Sequence, residues 1–247
     1  MATYVGLHNR VYLAHLDLSG NATAVDGGTL TRDMKPGTTF NDGGYTCVKP
    51  GLISGEGRVT FLQDWAADVI DDELSVGQLG TQYPFTVVPN PTGTVTAGDP
   101  AYIARGVLGS LNPGLGVKGE MATGEFMLPF DTAAPQAKVL HPSAARTTTG
   151  NGTAVALTGP TASQTLYASL HVIAYSGLTN VVFKIQSDDS SGMASATDRI
   201  TFTTVTAAGA SEWKTVAGNF STETHLRATW TVTGTGSITF VIAAGVI

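Results

Sequence analysis

The feature that most constrains the fold is a strict alternation of apolar and polar residues in the second half of the chain. The apolar positions of the two clearest segments are Leu166, Ala168, Leu170 and Val172, and then Leu226, Ala228, Trp230 and Val232. A period of two residues is that of a β-strand with one face buried. Seven such segments, separated by turns, lie between residues 153 and 246. They predict a jelly-roll-like β-sandwich.

Composition extends this prediction to the whole chain. The 247 residues include 30 glycines, and 42% are hydrophobic but only 13% charged, which is typical of strands and turns rather than helical bundles. The chain is long enough for two domains, each with its own core. Residues 131–152 are rich in small residues and have the composition of a linker. We therefore predict a mainly β protein with domains at 1–140 and 141–247.

One segment of the first half, residues 65–79, departs from the strand period. Its apolar positions fall near helical spacing and are Trp65, Val69, Ile70 and Leu74. Asp64 is placed to cap the predicted helix. Asp68, Asp71 and Asp72 share one helical face, but calcium loops gather their oxygens from irregular backbone. A solvated or intersubunit acidic face is the better interpretation.

Charge is distributed unevenly along the chain. Residues 1–140 hold 8 Lys+Arg and 14 Asp+Glu, whereas residues 141–247 hold 5 of each. Tight binding of nucleic acid needs clustered Lys and Arg against the phosphates. The acidic first half therefore argues against a nucleic-acid-binding protein.

The sequence lacks the residue patterns that enzymatic chemistry requires. Its five histidines are scattered, with no pair at the spacing of a zinc site, and it has no nucleophile elbow or phosphate-binding loop. His171 and His225 alternate away from the apolar positions and are predicted to lie at the surface. The single cysteine, Cys47, cannot close an internal disulfide. We expect a protein without enzymatic activity, cofactor or metal.

Neither end of the chain predicts membrane insertion. The first 15 residues lack the continuous apolar region of a signal peptide, which favours a cytoplasmic site of synthesis. The apolar run at 238–247 has ten residues, about half of the roughly 20 that cross a bilayer as a helix. It is predicted to form a final buried strand.

A long segment between predicted strands, residues 35–57, has a composition suited to interaction. It holds six glycines and two prolines, and it leads into a strand without the lysine and helix of a phosphate site. A loop of this length is uncommon in a compact domain unless it is functional. Its β-prone residues could pair with an edge strand of another subunit. A hairpin without a partner is the alternative that composition leaves open.

The order of these features resembles the major tail tube proteins of long-tailed bacteriophages. The resemblance is carried by "DLSG" at 17–20, "TTF" at 38–40 and "PGL" at 50–52, ahead of the predicted strand at 59–61. The last hundred residues separately resemble a β-sandwich domain that is often appended to such proteins, through segments such as "FKIQSDDSSG".

The resemblance implies an N-terminal tail tube β-sandwich or barrel with one flanking helix, assembled into stacked hexameric rings around a channel for DNA. It implies a virion tail protein that is assembled in the host cytoplasm with other tail proteins. In that family the long loop contacts neighbouring subunits. The residues expected to make this contact are Thr38, Thr39, Phe40, Tyr45, Val48, Pro50, Gly51 and Leu52. An acidic channel wall would let DNA pass without binding.

Two other structural roles remain open at the sequence level. A capsid decoration protein would share the β architecture. A carbohydrate-binding surface protein would present aromatic rings to sugars, and Tyr167, Tyr175 and Trp213 are the candidate contacts. Tyr167 and Tyr175 alternate away from the apolar positions and are predicted to be exposed.

Overall fold

The protein is nearly all β-strand, as the sequence predicts. The structure is a computed structural model, and it describes residues 8–37, 48–64, 70–90, 93–116 and 120–247. The elements of the first half are β1 Arg10–Leu13, β2 Leu16–Asp17, β3 Ala22–Pro36, β4 Val48–Leu62, α1 Ile70–Glu73, a 3₁₀ turn Val76–Gln78, β5 Gln82–Val88, β6 Pro100–Val107, β7 Ser110–Asn112 and β8 Thr123–Pro129. Those that follow are β9 Gln136–Arg146, β10 Gly150–Asn151, β11 Val155–Ala156, β12 Thr165–Asp188, β13 Thr197–Thr201, β14 Ser211–Ala217 and β15 His225–Val246.

The described strands form two antiparallel sheets. The larger has the order β13-β12-β15-β9-β6-β5-β1-β2, with β14 added to β12 and both β10 and β11 added to β15. The smaller has the order β3-β4-β8-β7. A core that includes Phe61, Phe85 and Phe126 lies between the smaller sheet and the strands β1 and β5.

The predicted helix is present only as one described turn. Ile70 and Leu74 are both buried, and the Leu74 N–H donates to the Ile70 carbonyl at 2.8 Å, as helical spacing requires. Residues 65–69 lie outside the described residues, so the predicted contributions of Trp65 and Asp68 are not tested.

The predicted linker at residues 131–152 is wrong. Its centre is strand β9, in which Val139 and Leu140 are fully buried, and β9 pairs with β15 on one side and β6 on the other. Val139 and Leu140 are the apolar residues that place this segment in the sheet. The small residues and prolines around them have the composition of a linker, which is why the strand was not predicted. The boundary between 1–140 and 141–247 stays a prediction, with β9 running across it.

Two long bent strands, β12 and β15, replace four of the seven short strands predicted for the second half, whereas β11, β13 and β14 overlap the other three. β12 and β15 pair from Leu166 with Val246 to Asp188 with His225, and their register shifts between residues 172 and 180. Gly177 and Gly234 have φ angles of 73° and 95° at this bend, where other residues would be strained. The ribbon of two strands therefore folds over and supplies both sides of its own core.

The alternation that dominates the sequence is confirmed. The side chains of Leu166, Ala168, Leu170 and Val172 are all buried in the core of the ribbon. The opposite face of the same segment is buried too, because it packs against β1 and β5. The surface position predicted for His171 is therefore wrong, since its side chain is fully buried between the two halves of the chain; His225 is partly exposed.

His171 joins three elements by hydrogen bonds. Its Nε2 lies 2.7 Å from the Thr86 hydroxyl of β5, and its Nδ1 lies 2.6 Å from the Ala14 carbonyl. The Thr86 hydroxyl is also 2.9 Å from the Ser169 hydroxyl. Burial lowers the pKa of His171 to about 4. The imidazole is therefore neutral at pH 7, with its Nδ1–H donating to Ala14 and Nε2 accepting from Thr86.

Candidate assembly surface

The β3–β4 hairpin extends beyond the body of the protein. β8 covers β4 only from Glu56, opposite Pro129, to Leu62, opposite Thr123. Beyond that point residues 30–36 of β3 and 48–55 of β4 pair with each other and, among the described residues, with no further strand. We call these two segments the arm. Its eight β4 residues span about 26 Å at roughly 3.3 Å per residue.

One face of the arm is largely apolar, although the charged Arg32 also lies on it, opposite Ile53. Directly opposed residues in an antiparallel pair point to the same face, and the register pairs Leu30 with Gly55, Arg32 with Ile53 and Met34 with Pro50. The large apolar side chains of this face are Leu30, Met34, Val48 and Ile53. Each of them is 51–59% exposed.

This apolar face continues the core-facing side of β4. Val59 and Phe61 are fully buried in the core. Ile53 and Gly55 are an even number of residues away from them along β4, so all four lie on the same face of the strand. The strand therefore keeps its core pattern after the covering strands have ended. The described strands therefore leave apolar surface of this face uncovered, and uncovered apolar surface is typical of interaction sites.

The other face of the arm is polar and cationic. The Thr31 and Ser54 hydroxyls lie 2.9 Å apart, and Lys35 forms an ion pair with Asp33. Lys35 is directly opposite Lys49, a like-charge pair that an acidic partner would relieve. The whole arm holds three Lys or Arg, of which Arg32 lies on the first face, and one Asp, whereas the rest of the chain holds 10 Lys+Arg and 18 Asp+Glu.

The predicted contact residues fall into two groups. Val48, Pro50, Gly51 and Leu52 lie in β4, so the prediction of a loop at these positions is wrong. Leu52 is 85% exposed. Thr38, Thr39, Phe40 and Tyr45 lie outside the described residues. Sequence reasoning missed Leu30, Met34 and Ile53, although their alternation with Thr31, Asp33 and Ser54 was the available signal.

The candidate sugar-binding aromatics do not form one exposed platform. Tyr167 and Trp213 are neighbours, with ring centroids 5.9 Å apart, and both are half-buried against the core that includes Tyr12. Tyr175 packs instead against the ribbon core, and its hydroxyl donates to the Leu178 carbonyl at 3.0 Å. Tyr167 and Tyr175 are therefore only partly exposed, less than the sequence predicts.

The "KIQSDDSSG" segment forms a structural turn. The Asp188 carboxylate accepts hydrogen bonds from the backbone N–H groups of Ser190 and Ser195 at 2.9 and 2.8 Å. These bonds, that of Ser190 first, hold the pKa of Asp188 below its ordinary value. Ser187 next to it bonds Arg199 at 2.8 Å and also contacts Glu223. The polar residues here are used to fix the chain at the end of β12.

Metal-binding and membrane-spanning features are not found in the described ranges. No group of three or more His, Cys, Asp or Glu residues is placed there to hold a metal ion. No helix in this part of the chain is both long enough and apolar enough to cross a bilayer.

Comparison with known proteins identifies structures but no family. The sequence matches no protein-family model and no curated protein. Similar solved structures include a chain of the virion of a native gene transfer agent particle, with 15% identity, 54% of this chain and 98% of that chain covered, and a TM-score of 0.40. Another is a chain of the sheath–tube complex of the extracellular contractile injection system PVC in its extended state. It has 16% identity, 53% of this chain and 88% of that chain are covered, and the TM-score is 0.40.

A third similar structure extends over almost the full length of both chains. It is the Dit protein of phage SPP1, described as a hub of the adsorption apparatus in phages that infect Gram-positive bacteria, with 11% identity, 97% of this chain and 99% of that chain covered, and a TM-score of 0.34. These three structures come from phage tails or related particles. At identities below 25% and TM-scores below 0.5, the likeness assigns neither a fold family nor a function to this chain.

Proposed function

We propose that the protein is a structural subunit of a bacteriophage tail and that it assembles into stacked rings through the arm. The observation that carries the proposal is the apolar face of the arm, which continues the core pattern of β4 without a cover. The resemblance of the first part of the chain to tail tube proteins supports this kind of assembly. In the proposed assembly, hexameric rings of the protein enclose a channel for DNA, and the role of the protein is structural rather than enzymatic.

Energetics favour an arm that is completed by a partner. A two-stranded hairpin alone is marginally stable in water. Covering the exposed halves of Leu30, Met34, Val48 and Ile53 would contribute about 4 kcal/mol per arm. Association itself costs at least about 4 kcal/mol, so this contact must be repeated around a ring or joined by others to drive assembly.

Charge favours a second copy of the same chain as that partner. The arm carries a net positive charge, and the remainder of the chain carries an excess of eight acidic residues. A cationic arm is attracted to the acidic body of a neighbouring copy, and the attraction guides the encounter. The same acidic excess suits a channel wall past which DNA slides, because it offers few contacts that release counterions.

Replacing Met34 and Ile53 together by serine should abolish ring and tube formation. Both side chains lie on the apolar face, and the change makes that face polar without touching the buried core. We expect negative-stain electron microscopy of the concentrated protein, alone and mixed with other tail proteins, to show rings for the parent and none for the variant.

The matched control is Ile247→Ser, which removes an apolar side chain of similar exposure (56%) at the end of the chain, away from the arm. It should assemble like the parent. The melting temperatures of all three proteins should agree closely, because none of the changed side chains belongs to the core. Undiminished rings in the Met34→Ser/Ile53→Ser variant would contradict the proposal.

A further inference from the structure

The base of the arm is built around one aromatic ring. Phe130 follows β8, and its N–H donates to the Gly55 carbonyl at 2.8 Å, at the position where the arm leaves the body. Phe130 also bridges to Gly106 of β6. The residue therefore touches both the arm and the body.

The ring of Phe130 lies in a slot lined by three glycines. A Cβ atom would stand 2.9 Å from the ring at Gly28, 2.9 Å at Gly55 and 3.3 Å at Gly57. The first two distances are shorter than real Cβ contacts allow, so only glycine leaves room for the ring there. Gly28 also has a φ of 128°, which disfavours any side chain. The slot thus needs glycine on both strands of the hairpin.

Strands outside the arm also hold Phe130 in place. The next residue, Asp131, donates its N–H to the Arg105 carbonyl at 3.1 Å, and its carboxylate pairs with the Arg105 guanidinium at 3.0 Å. Gln82 of β5 donates to the same carboxylate at 2.6 Å. Because β5 and β6 fix this turn, the ring is a stationary support against which the two strands rest.

The apolar face of the arm begins at this support. A Cβ at Gly55 would meet the Leu30 side chain as well as the Phe130 ring, so both cover the same glycine. Leu30 is the first residue of the exposed apolar face. The ring therefore lies where the buried part of the face passes into the exposed part.

We propose that Phe130 is a positioning residue that sets the direction in which the arm leaves the body. The ring fills the glycine slot and prevents the hairpin from pivoting at Gly28, Gly55 and Gly57, which are otherwise the most flexible positions of the two strands. This inference rests on the proposed function, since a directed arm matters only if the arm docks. It predicts that the effects of changing the ring and of changing one of the glycines depend on each other.

The experiment measures the direction of the arm in the unassembled chain. Spin labels are attached at Lys49→Cys on the arm and Ser163→Cys on the body, in a Cys47→Ser background, and the distance between them is recorded at low protein concentration by pulsed electron resonance. For the parent we expect one narrow distance distribution. Phe130→Ala should broaden it about twofold or more, because a hairpin without support is marginally ordered in water.

A second variant makes the test specific to the slot. Gly55→Ala places a methyl group against both the Leu30 side chain and the ring. It should also broaden or displace the distribution, since the exposed Leu30 can turn away but the ring or the strand must then move. The double variant Gly55→Ala/Phe130→Ala should be closer to the parent than the sum of the single changes, because the methyl then meets only the flexible Leu30 side chain, which can move into the space that the ring has left. Phe130→Leu, which keeps an apolar side chain in the slot, should remain narrow.

Two results would overturn the proposal: single variants that keep the narrow distribution, or single and double variants whose changes simply add. A purely structural role would lower the melting temperature without broadening the distance. Because the measurement uses separate chains, it is independent of ring formation. Loss of the proposed assembly function would appear only in the Met34→Ser/Ile53→Ser images, so the two failures are distinguishable.

Discussion

Phe240→Ala should lower the free energy of unfolding by about 3–5 kcal/mol, the range for removing a fully buried aromatic side chain. Phe240 is stacked on His141 with centroids 4.0 Å apart, and it contacts Phe183 at 4.5 Å and Trp230 at 5.4 Å. In the ladder, Phe240 pairs with Val172 and Phe183 pairs with Trp230. The ring therefore joins the two folded-over halves of the ribbon, and its loss leaves a cavity between them.

Urea denaturation at pH 7 measures this change. The midpoint should fall while the slope with urea concentration stays constant, which indicates a loss of stability without a change in the surface exposed. Val232→Ala, at a half-buried position of the same strand, is the control and should cost about 1 kcal/mol. Equal losses in the two variants would mean that Phe240 is not the central contact.

The strands of the ribbon could be predicted from the sequence, but the bend within each of them could not. Alternation over residues 166–172 and 226–232 was sufficient to predict two strands and their buried faces, because a period of two follows directly from strand geometry. The sequence did not predict that pairs of short strands join into the long strands β12 and β15. Gly177 and Gly234 look like turn residues in the sequence, but in the structure they allow a bend within a strand.

Burial on both faces is the second property that local patterns did not reveal. His171 alternates with apolar residues and so was predicted to be exposed. It is covered because β1 and β5, more than 80 residues earlier in the chain, pack against it through Ala14 and Thr86. Contacts this distant in sequence leave no local signal.

The arm shows a similar division. Composition predicted an interaction segment at residues 35–57, and Val48 and Leu52 of that segment lie in the arm. Pro50 and the glycines of this segment argued against a strand, yet Pro50 is at a register shift near the end of the hairpin, where the ladder tolerates it. The partner strand, with Leu30 and Met34, became visible only through the register.

Acidification from pH 6.5 to pH 4 should destabilise the protein strongly, because two buried histidines must then accept protons on unfolding. Burial lowers the pKa of His171 to about 4. Burial, and then the nearby Arg146 cation, lower the pKa of His141 to about 4. Unfolded histidine has a pKa of about 6.5, so between these values the unfolded chain binds more protons and stability rises with pH. Each histidine would contribute about 3 kcal/mol across this window.

The histidines can be separated from the carboxylates by their variants. The free energy of unfolding is measured by urea titration at several pH values between 4 and 7, for the parent, His171→Gln and His141→Gln/His171→Gln. Each substitution should lower stability at pH 7, since the hydrogen bonds to Ala14 and Phe240 change. The decisive quantity is the slope with pH, which should fall by about half in His171→Gln and nearly vanish above pH 5 in the double variant. An unchanged slope in the double variant would assign the acid sensitivity to carboxylates, and the neutral buried histidines would then have no part in it.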